Sequence, residues 1–190
     1  MKRLMLALSV LLLSTPAYSA MESFTVDPRH TYPGFEVNHM GLSTQRGRFN
    51  ASIGRITLDR EAKNGAVEIE IDARTVSTGL EELEKHLRSE DFFNVEKHPL
   101  ITFRSSSVEF EGDSPKSVQG DLTLLGVTRP VTLSISAFNC RIHPINKKYV
   151  CGADASTTIK RSEFGMTYAV PAVSDEVRLF IQVEAFKDGQ

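Results

Sequence analysis

Hydrophobic positions along this chain recur mostly every second residue. Val67, Ile69 and Ile71 alternate with Glu68, Glu70 and Asp72. Val118, Leu122 and Leu124 share a face with Gly120, and Val131, Leu133 and Ile135 alternate with Thr132, Ser134 and Ser136. Val177, Leu179, Ile181 and Val183 repeat the pattern near the C-terminus. Successive side chains of a strand point to opposite faces, so one apolar face per segment predicts half-buried antiparallel strands. Two segments change phase. Phe49, Ala51 and Ile53 sit on odd positions but Ile56 and Leu58 on even ones, which predicts a β-bulge or sharp bend near Gly54. A similar slip separates Ile101 and Phe103 from Val108 and Phe110. Gly120 to Pro130 reads as a strand, a glycine turn and the start of another strand. Long bent strands joined by turns favour a barrel over a flat sandwich.

One segment follows the helical period instead. Leu80, Leu83 and Leu87 fall on one face. Thr78 and Glu81 have the spacing of a capping box. Glu81 with Lys85, and Glu84 with Arg88, are i, i+4 pairs for the exposed side. Asp91-Phe92-Phe93 follows, and His98-Pro99 ends the excursion before the next strand. The predicted class is all-β: one antiparallel barrel with a single short helix covering it. That helix is either plain cover for one end or a lid whose Phe92 and Phe93 line an entrance; the residue pattern supports both.

The N-terminus sets the expected compartment. Lys2 and Arg3 precede an apolar run from Leu4 to Leu13 broken only by Ser9; Pro16 and Ala17-Tyr18-Ser19 follow. This is the pattern of a Sec-type signal peptide over residues 1–19, cut after Ser19 or Ala20, with the barrel domain in 20–190. No cysteine follows the apolar run, which argues against a lipid-anchored N-terminus. No other apolar run is long enough to cross a bilayer as a helix, so a soluble periplasmic protein is expected. The formal net charge is −2 and no basic patch interleaves with aromatics, so nucleic acid is not an expected partner. The two cysteines, Cys140 and Cys151, flank a turn around Asn146, and in an exported chain they are expected to form a disulfide across a hairpin.

Candidate chemistry is sparse. The histidines are His30, His39, His86, His98 and His143, and no two have a metal-ligand spacing. No G-x-S-x-G elbow and no glycine-rich phosphate loop occurs. No metal and no cofactor is expected. A metal-dependent hydrolase using His30, His39 and His86 is the enzymatic alternative, although His39, on the face of Phe35 and Val37, reads better as a hydrogen-bonded interior histidine. Arg161-Ser162-Glu163-Phe164-Gly165 is either a surface turn or a polar group near the barrel mouth.

Taken together, several motifs are similar to those of one family. They include Phe35-x-Val37-x-His39-Met40-Gly41, Gly47-x-Phe49 and Thr78-Gly79. They continue with His86-Leu87-Arg88-Ser89-x-Asp91-Phe92-Phe93-Asn94-Val95, Pro99-x-Ile101-Thr102-Phe103, Gly120-Asp121-Leu122-Thr123-Leu124-x-Gly126-Val127-Thr128-Arg129-Pro130 and Arg161-x-x-Phe164-Gly165. In that order they span nearly the whole chain after residue 20, and the chain closely resembles the YceI-like family of exported, lipocalin-like polyisoprenoid-binding proteins. The resemblance implies a lipocalin-like barrel of about eight strands whose long apolar cavity holds an isoprenoid-type lipid, polyprenyl or quinone precursor, in a carrier or storage role rather than an enzymatic one. It implies cavity and lid contacts from Phe35, Val37, His39, Phe49, Leu83, Leu87, Phe92, Phe93, Phe103, Leu122, Leu124, Ile135, Phe164, Leu179 and Ile181. His86, Arg88 and Arg161 are candidates for meeting the polar head. Two features depart from the family pattern: Glu84-Lys85 stands where members often carry Arg-Asp, and the Cys140–Cys151 pair is not a general family feature. The same cavity would accept a fatty acid or fatty amide. Transient membrane contact fits such a cargo, and the oligomeric state is left open, a homodimer being one outcome.

Overall fold

The computed structural model describes residues 21–189; the signal-peptide segment and its cut after Ser19 or Ala20 lie outside the described residues. The strands are β1 (Glu22–Val26), β2 (Tyr32–His39), β3 (Ser43–Phe49), β4 (Ser52–Asp59), β5 (Asn64–Asp72), β6 (Val76–Ser77), β7 (Leu100–Glu111), β8 (Ser114–Leu124), β9 (Val127–Ile142), β10 (Tyr149–Lys160) and β11 (Val173–Lys187). Among the described residues one α-helix, α1 (Glu81–Arg88), and two short 3-10 turns, Ala73–Thr75 and Arg161–Phe164, complete the elements. Every strand pairing is antiparallel.

Eight strands form a closed ring in the order β1-β4-β5-β7-β8-β9-β10-β11, and β1 returns to β11 through Phe24↔Lys187 and Val26↔Ala185. Further along the same edge of β11 lies β2, from Gln182↔Tyr32 to Val173↔His39. β3 pairs with β2, and β6 with β3. Two staves of the barrel are thus interrupted, β1/β2 at Asp27 to Thr31 and β3/β4 at Asn50 and Ala51. At the first interruption Asp27 and Thr31 are buried and both are hydrogen-bonded, while Pro28, Arg29 and His30 are exposed. Asp27 accepts from His30 Nδ1 at 2.7 Å and from the Arg29 amide at 3.0 Å. Burial works to raise the Asp27 pKa, but these hydrogen bonds and the neighbouring cations outweigh it and the net shift is downward. Thr31 is buried and its hydroxyl bonds the backbone of Glu184, while Ser52 Oγ donates to the Thr31 carbonyl.

The phase slip after Phe49 marks this second interruption, not a bulge at Gly54. The β4–β5 register is unbroken from Ser52↔Ile71 to Asp59↔Asn64, and Ser52 faces in while Ile53 is 62% exposed. A slip in hydrophobic phase means only that one residue has been added to the count, and a turn between two strands does that as well as a bulge. In β7 the expectation holds: the pairing with β8 shifts between Ser105 and Ser107, which carries Phe103 and Val108 onto the same inner face. The strand–turn–strand reading of Gly120 to Pro130 also holds. β8 and β9 meet at Leu124↔Val127 across Leu125 and Gly126, both with positive φ (54° and 74°), the backbone of a two-residue hairpin turn that glycine favours.

α1 covers one end of the barrel, but its start differs from the capping-box pattern. The N-cap residue is Leu80, which makes no side-chain cap. After the turn at Gly79, Glu84 takes the capping role, accepting from the amides of Thr78 (2.7 Å) and Gly79 (3.0 Å) and from Ser77 Oγ (3.1 Å). The Thr78 amide bond is the main reason its carboxyl titrates below the ordinary glutamate range; Arg88 contributes only as a nearby charge. Leu80 is exposed rather than part of the buried face, which Leu83 and Leu87 supply.

The Cys140–Cys151 disulfide is formed, between directly opposed residues of the β9–β10 hairpin. It lies at the end of the barrel away from α1, in a small core with Phe24, Val26, Leu58 and Ala185. The larger core lies under α1 and along the inner faces of β5, β7 and β8.

Candidate ligand-binding cavity

Several inward side chains of β9 and β11, Leu133, Ile135, Leu179 and Ile181 among them, are only half-buried although they point into the barrel. The surface they expose faces an internal cavity of about 250 Å³. It runs from Leu87, Phe92 and Met166 at the helix end to Phe138, Ala153 and Val183 at the disulfide end. Its wall presents almost no polar atoms.

Most of the residues expected at the cavity stand on this wall. Phe35, Val37 and Phe49 come from β2 and β3, and Phe103, Leu122 and Leu124 from β7 and β8. Ile135, Leu179 and Ile181 come from β9 and β11, and Leu87, Phe92 and Phe93 from the helical excursion. The glycine of Gly47-x-Phe49 has a packing reason: a Cβ there would stand 2.3 Å from Phe35 Cζ, so the Phe35 ring lies directly across the strand.

Five expected residues are not on the wall. His39 ends β2 opposite Val173, half-buried at the strand terminus rather than inside the barrel. Leu83 packs on the core behind Leu87, one helical turn further from the cavity. Phe164 is 1% exposed and fills the core beneath the 3-10 turn. His86 faces outward, its Nε2 3.0 Å from Asp91 Oδ2, and Arg88 lies on α1 away from the wall. Val67, Ile69, Val131, Leu133 and Val183 also stand on the wall, on the alternating faces that the sequence marks. Phe138 is out of phase with Ile135 because β9 carries an extra residue where Asp154 pairs with Ala137 and Ala155 with Ile135, whereas Ala153 and Ala155 keep one phase of β10 with Ile159 but are too small to mark an apolar face.

Among the described residues Arg161 is the one charged residue at the wall, and it is 3% exposed. It is not a surface turn residue. Its guanidinium points away from the cavity, donating to three backbone carbonyls: Nε to Ser174 (3.0 Å), Nη1 to Met166 (3.2 Å) and Nη2 to Val173 (3.0 Å). Burial lowers its pKa, partly offset by the charge of Asp175, whose carboxylate is itself bonded to the Ser162 amide and hydroxyl. Arg161 thus staples the loop from Gly165 to Ala172 onto the start of β11, and only its apolar stem can contribute to the cavity.

Two consecutive phenylalanines have different surroundings. The chain after α1 folds back on the helix, with the Phe93 amide bonded to the Leu87 carbonyl and the Val95 amide to that of Arg88. This turns Phe93 inward, its ring centroid 5.2 Å from Phe49 and 6.1 Å from Phe35. Phe92 meets an outer pair instead, His86 at 4.9 Å and Tyr168 at 5.3 Å, and those two rings are 5.2 Å apart. Tyr168 is 47% exposed, so Phe92 connects cavity wall and protein surface.

Among the described residues, no group of three His, Cys, Asp or Glu side chains stands where it could hold a metal ion. The three histidines of the hydrolase alternative are dispersed: His30 is tied to Asp27 at the β1/β2 interruption, His39 ends β2, and His86 lies on α1. No described helix is long and apolar enough to cross a membrane.

An antiparallel eight-stranded barrel, capped by one short helix around an apolar cavity, is the class defined by these features. Within that class the chain belongs to the YceI-like family, since the YceI-like domain matches residues 24–185. A UPF0312 protein of Pseudomonas aeruginosa (strain LESB58) is 35% identical over 187 residues, covering 95% of this chain and 97% of the relative. Among solved structures, BcnA of Burkholderia cenocepacia superposes with a TM-score of 0.72 at 21% identity, over 84% of this chain and 98% of that one. A polyisoprenoid-binding domain from Saccharophagus degradans superposes with a TM-score of 0.61 at 14% identity, over 86% of this chain and 98% of that one.

Proposed function

We propose that this protein is a periplasmic carrier or store for a long-chain isoprenoid-type lipid, held with its tail in the barrel. The observation that carries the reading is the wall: an elongated cavity with almost no polar surface, inside a barrel otherwise packed at both ends. Each methylene buried there contributes about 0.8 kcal/mol, so a slender hydrocarbon chain binds well without directional contacts. The barrel's likeness to the polyisoprenoid-binding domain from Saccharophagus degradans supports the choice of tail. The wall residues from Phe35 to Ile181 serve as the tail's contacts, with Phe92 and Phe93 nearest the helix end. The signal-peptide pattern over residues 1–19 and the disulfide support export. The lipid is cargo, and the protein does no chemistry on it.

The test is mass spectrometry of an organic extract of protein purified from its native host. A stoichiometric polyprenyl lipid is expected. A fatty acid or fatty amide in its place would assign the cavity to the other tail chemistry, and repeated lipid-free preparations would overturn the reading. Stoichiometric zinc or iron in the same protein would revive the hydrolase.

A further inference from the structure

The apolar wall raises a question about the cargo's other end. A long-chain lipid usually carries a polar group, and a polar group placed in this cavity would lose water and gain no partner. Arg161, the one buried cation at the wall, has turned its donors to the carbonyls of Met166, Val173 and Ser174. The head therefore belongs outside the wall, where the cavity lining reaches the surface.

Phe92 is such a place. Its ring lines the cavity and packs edge-on against His86 and Tyr168. Both partners carry hydrogen-bonding atoms at the surface. His86 Nε2 is 3.0 Å from Asp91 Oδ2, with the two side chains 40% and 43% exposed. The Tyr168 hydroxyl has no hydrogen bond among the described residues, although its ring is fixed by two others. Asp91 sets a carboxylate at this rim, and the segment from residue 81 to 91 is net negative, with Glu81, Glu82, Glu84, Glu90 and Asp91 outnumbering Lys85 and Arg88. A phosphate or carboxylate arriving beside Phe92 would face the Asp91 carboxylate. A hydroxyl or carbonyl would find a tyrosine donor and an imidazole without repulsion.

We propose that the cavity takes only the tail of its lipid and that a neutral hydroxyl or carbonyl head docks on the rim formed by His86, Asp91 and Tyr168 around Phe92. The proposal rests on the lipid-binding reading above and names the head chemistry that reading leaves open.

Three probes of six isoprene units each separate the possibilities: hexaprenol, hexaprenyl phosphate and squalene, the last without a head. Their dissociation constants are measured on delipidated protein by displacement of a fluorescent apolar dye. Wild type should bind hexaprenol more tightly than squalene by roughly three- to tenfold, the scale of one or two neutral hydrogen bonds, and more tightly than the phosphate. Tyr168→Phe, which deletes only an exposed hydroxyl, should remove most of the hexaprenol preference while leaving squalene binding within about twofold of wild type. Asp91→Asn should improve binding of the phosphate alone. An unchanged hexaprenol-to-squalene ratio in Tyr168→Phe, or a wild type that prefers the phosphate, would overturn the rim site and leave the lipid-binding reading standing. Failure of all three probes to bind would overturn both.

Discussion

Two aromatic triads share one dipeptide. The inner triad, Phe93 with Phe35 and Phe49, is core, and Phe49 and Phe93 are both buried. The outer triad, Phe92 with His86 and Tyr168, is a boundary between cavity and solvent. The difference is made by backbone hydrogen bonds after α1, which fix Phe93 under the helix and leave Phe92 beside it. The choice between plain cover and lid therefore falls separately on each residue: Phe93 packs as cover, and Phe92 alone stands where the lid expectation can be tested.

That contrast can be broken most severely at Phe93. Phe93→Ala should lower the unfolding free energy by about 3–5 kcal/mol, the usual loss for a large aromatic in a packed core, measured by urea denaturation of lipid-free protein. A loss below about 1 kcal/mol would show that the inner triad is not core. The far end supplies a control. Replacing Cys140 and Cys151 by serine opens a loop of sequence separation 11 and should reduce stability by about 2–3 kcal/mol in the chain-entropy model. Lipid release from that variant should match wild type at temperatures where both are folded, because the bridge is remote from Phe92.

Phe92→Ser should show the reverse profile. Part of the roughly 1.5–3 kcal/mol for burying a phenylalanine is lost at the boundary, so lipid dissociation should speed up by about tenfold while stability changes by less than about 1 kcal/mol. Stopped-flow transfer of a loaded prenol to acceptor vesicles reads the first quantity, and thermal melting the second. Equal off-rates would reduce Phe92 to cover. The smallest effect concerns the support of α1. The folded Glu84 carboxyl titrates below its unfolded value of about 4.3, so its stabilisation is complete above that pH and is lost as pH falls through the lower folded value. Glu84→Gln should thus melt below wild type at neutral pH, and the gap should narrow below about pH 4.

The strand alternation was legible in the sequence because each strand keeps one apolar face, and the β7 bulge because Phe103 and Val108 fall on opposite phases of a single strand. The interruption at Asn50 was misread because Ile53, an apolar residue that points outward, sustained the odd-numbered phase across a turn. The helical period locates a helix in this segment, but it forms only over Glu81–Arg88, and Thr78 and Glu81 share the spacing of a capping box without its geometry; the turn at Gly79 puts Leu80 at the N-cap and leaves Glu84 to reach back. At the cavity, period two located most of the wall. It could not tell a side chain facing ligand space from one packed in core, which is why Phe164 and Leu83 were grouped with true wall residues. Arg161 is a candidate for the polar head on sequence, and a sequence cannot show that its donors are taken by backbone carbonyls.

β11 holds three neighbours: β10 along one edge, β1 and β2 end to end along the other. The ring is closed by residues 185–187 meeting residues 24–26. This makes folding a matter of timing. β1 pairs with β4 on one edge but has no partner on the other until the distant β11 is in place, so the cylinder closes late in folding. Loop closure over almost the whole chain length is entropically slow. Until that pairing forms the cavity has no complete wall, so a site for an apolar tail exists only once the ring has closed.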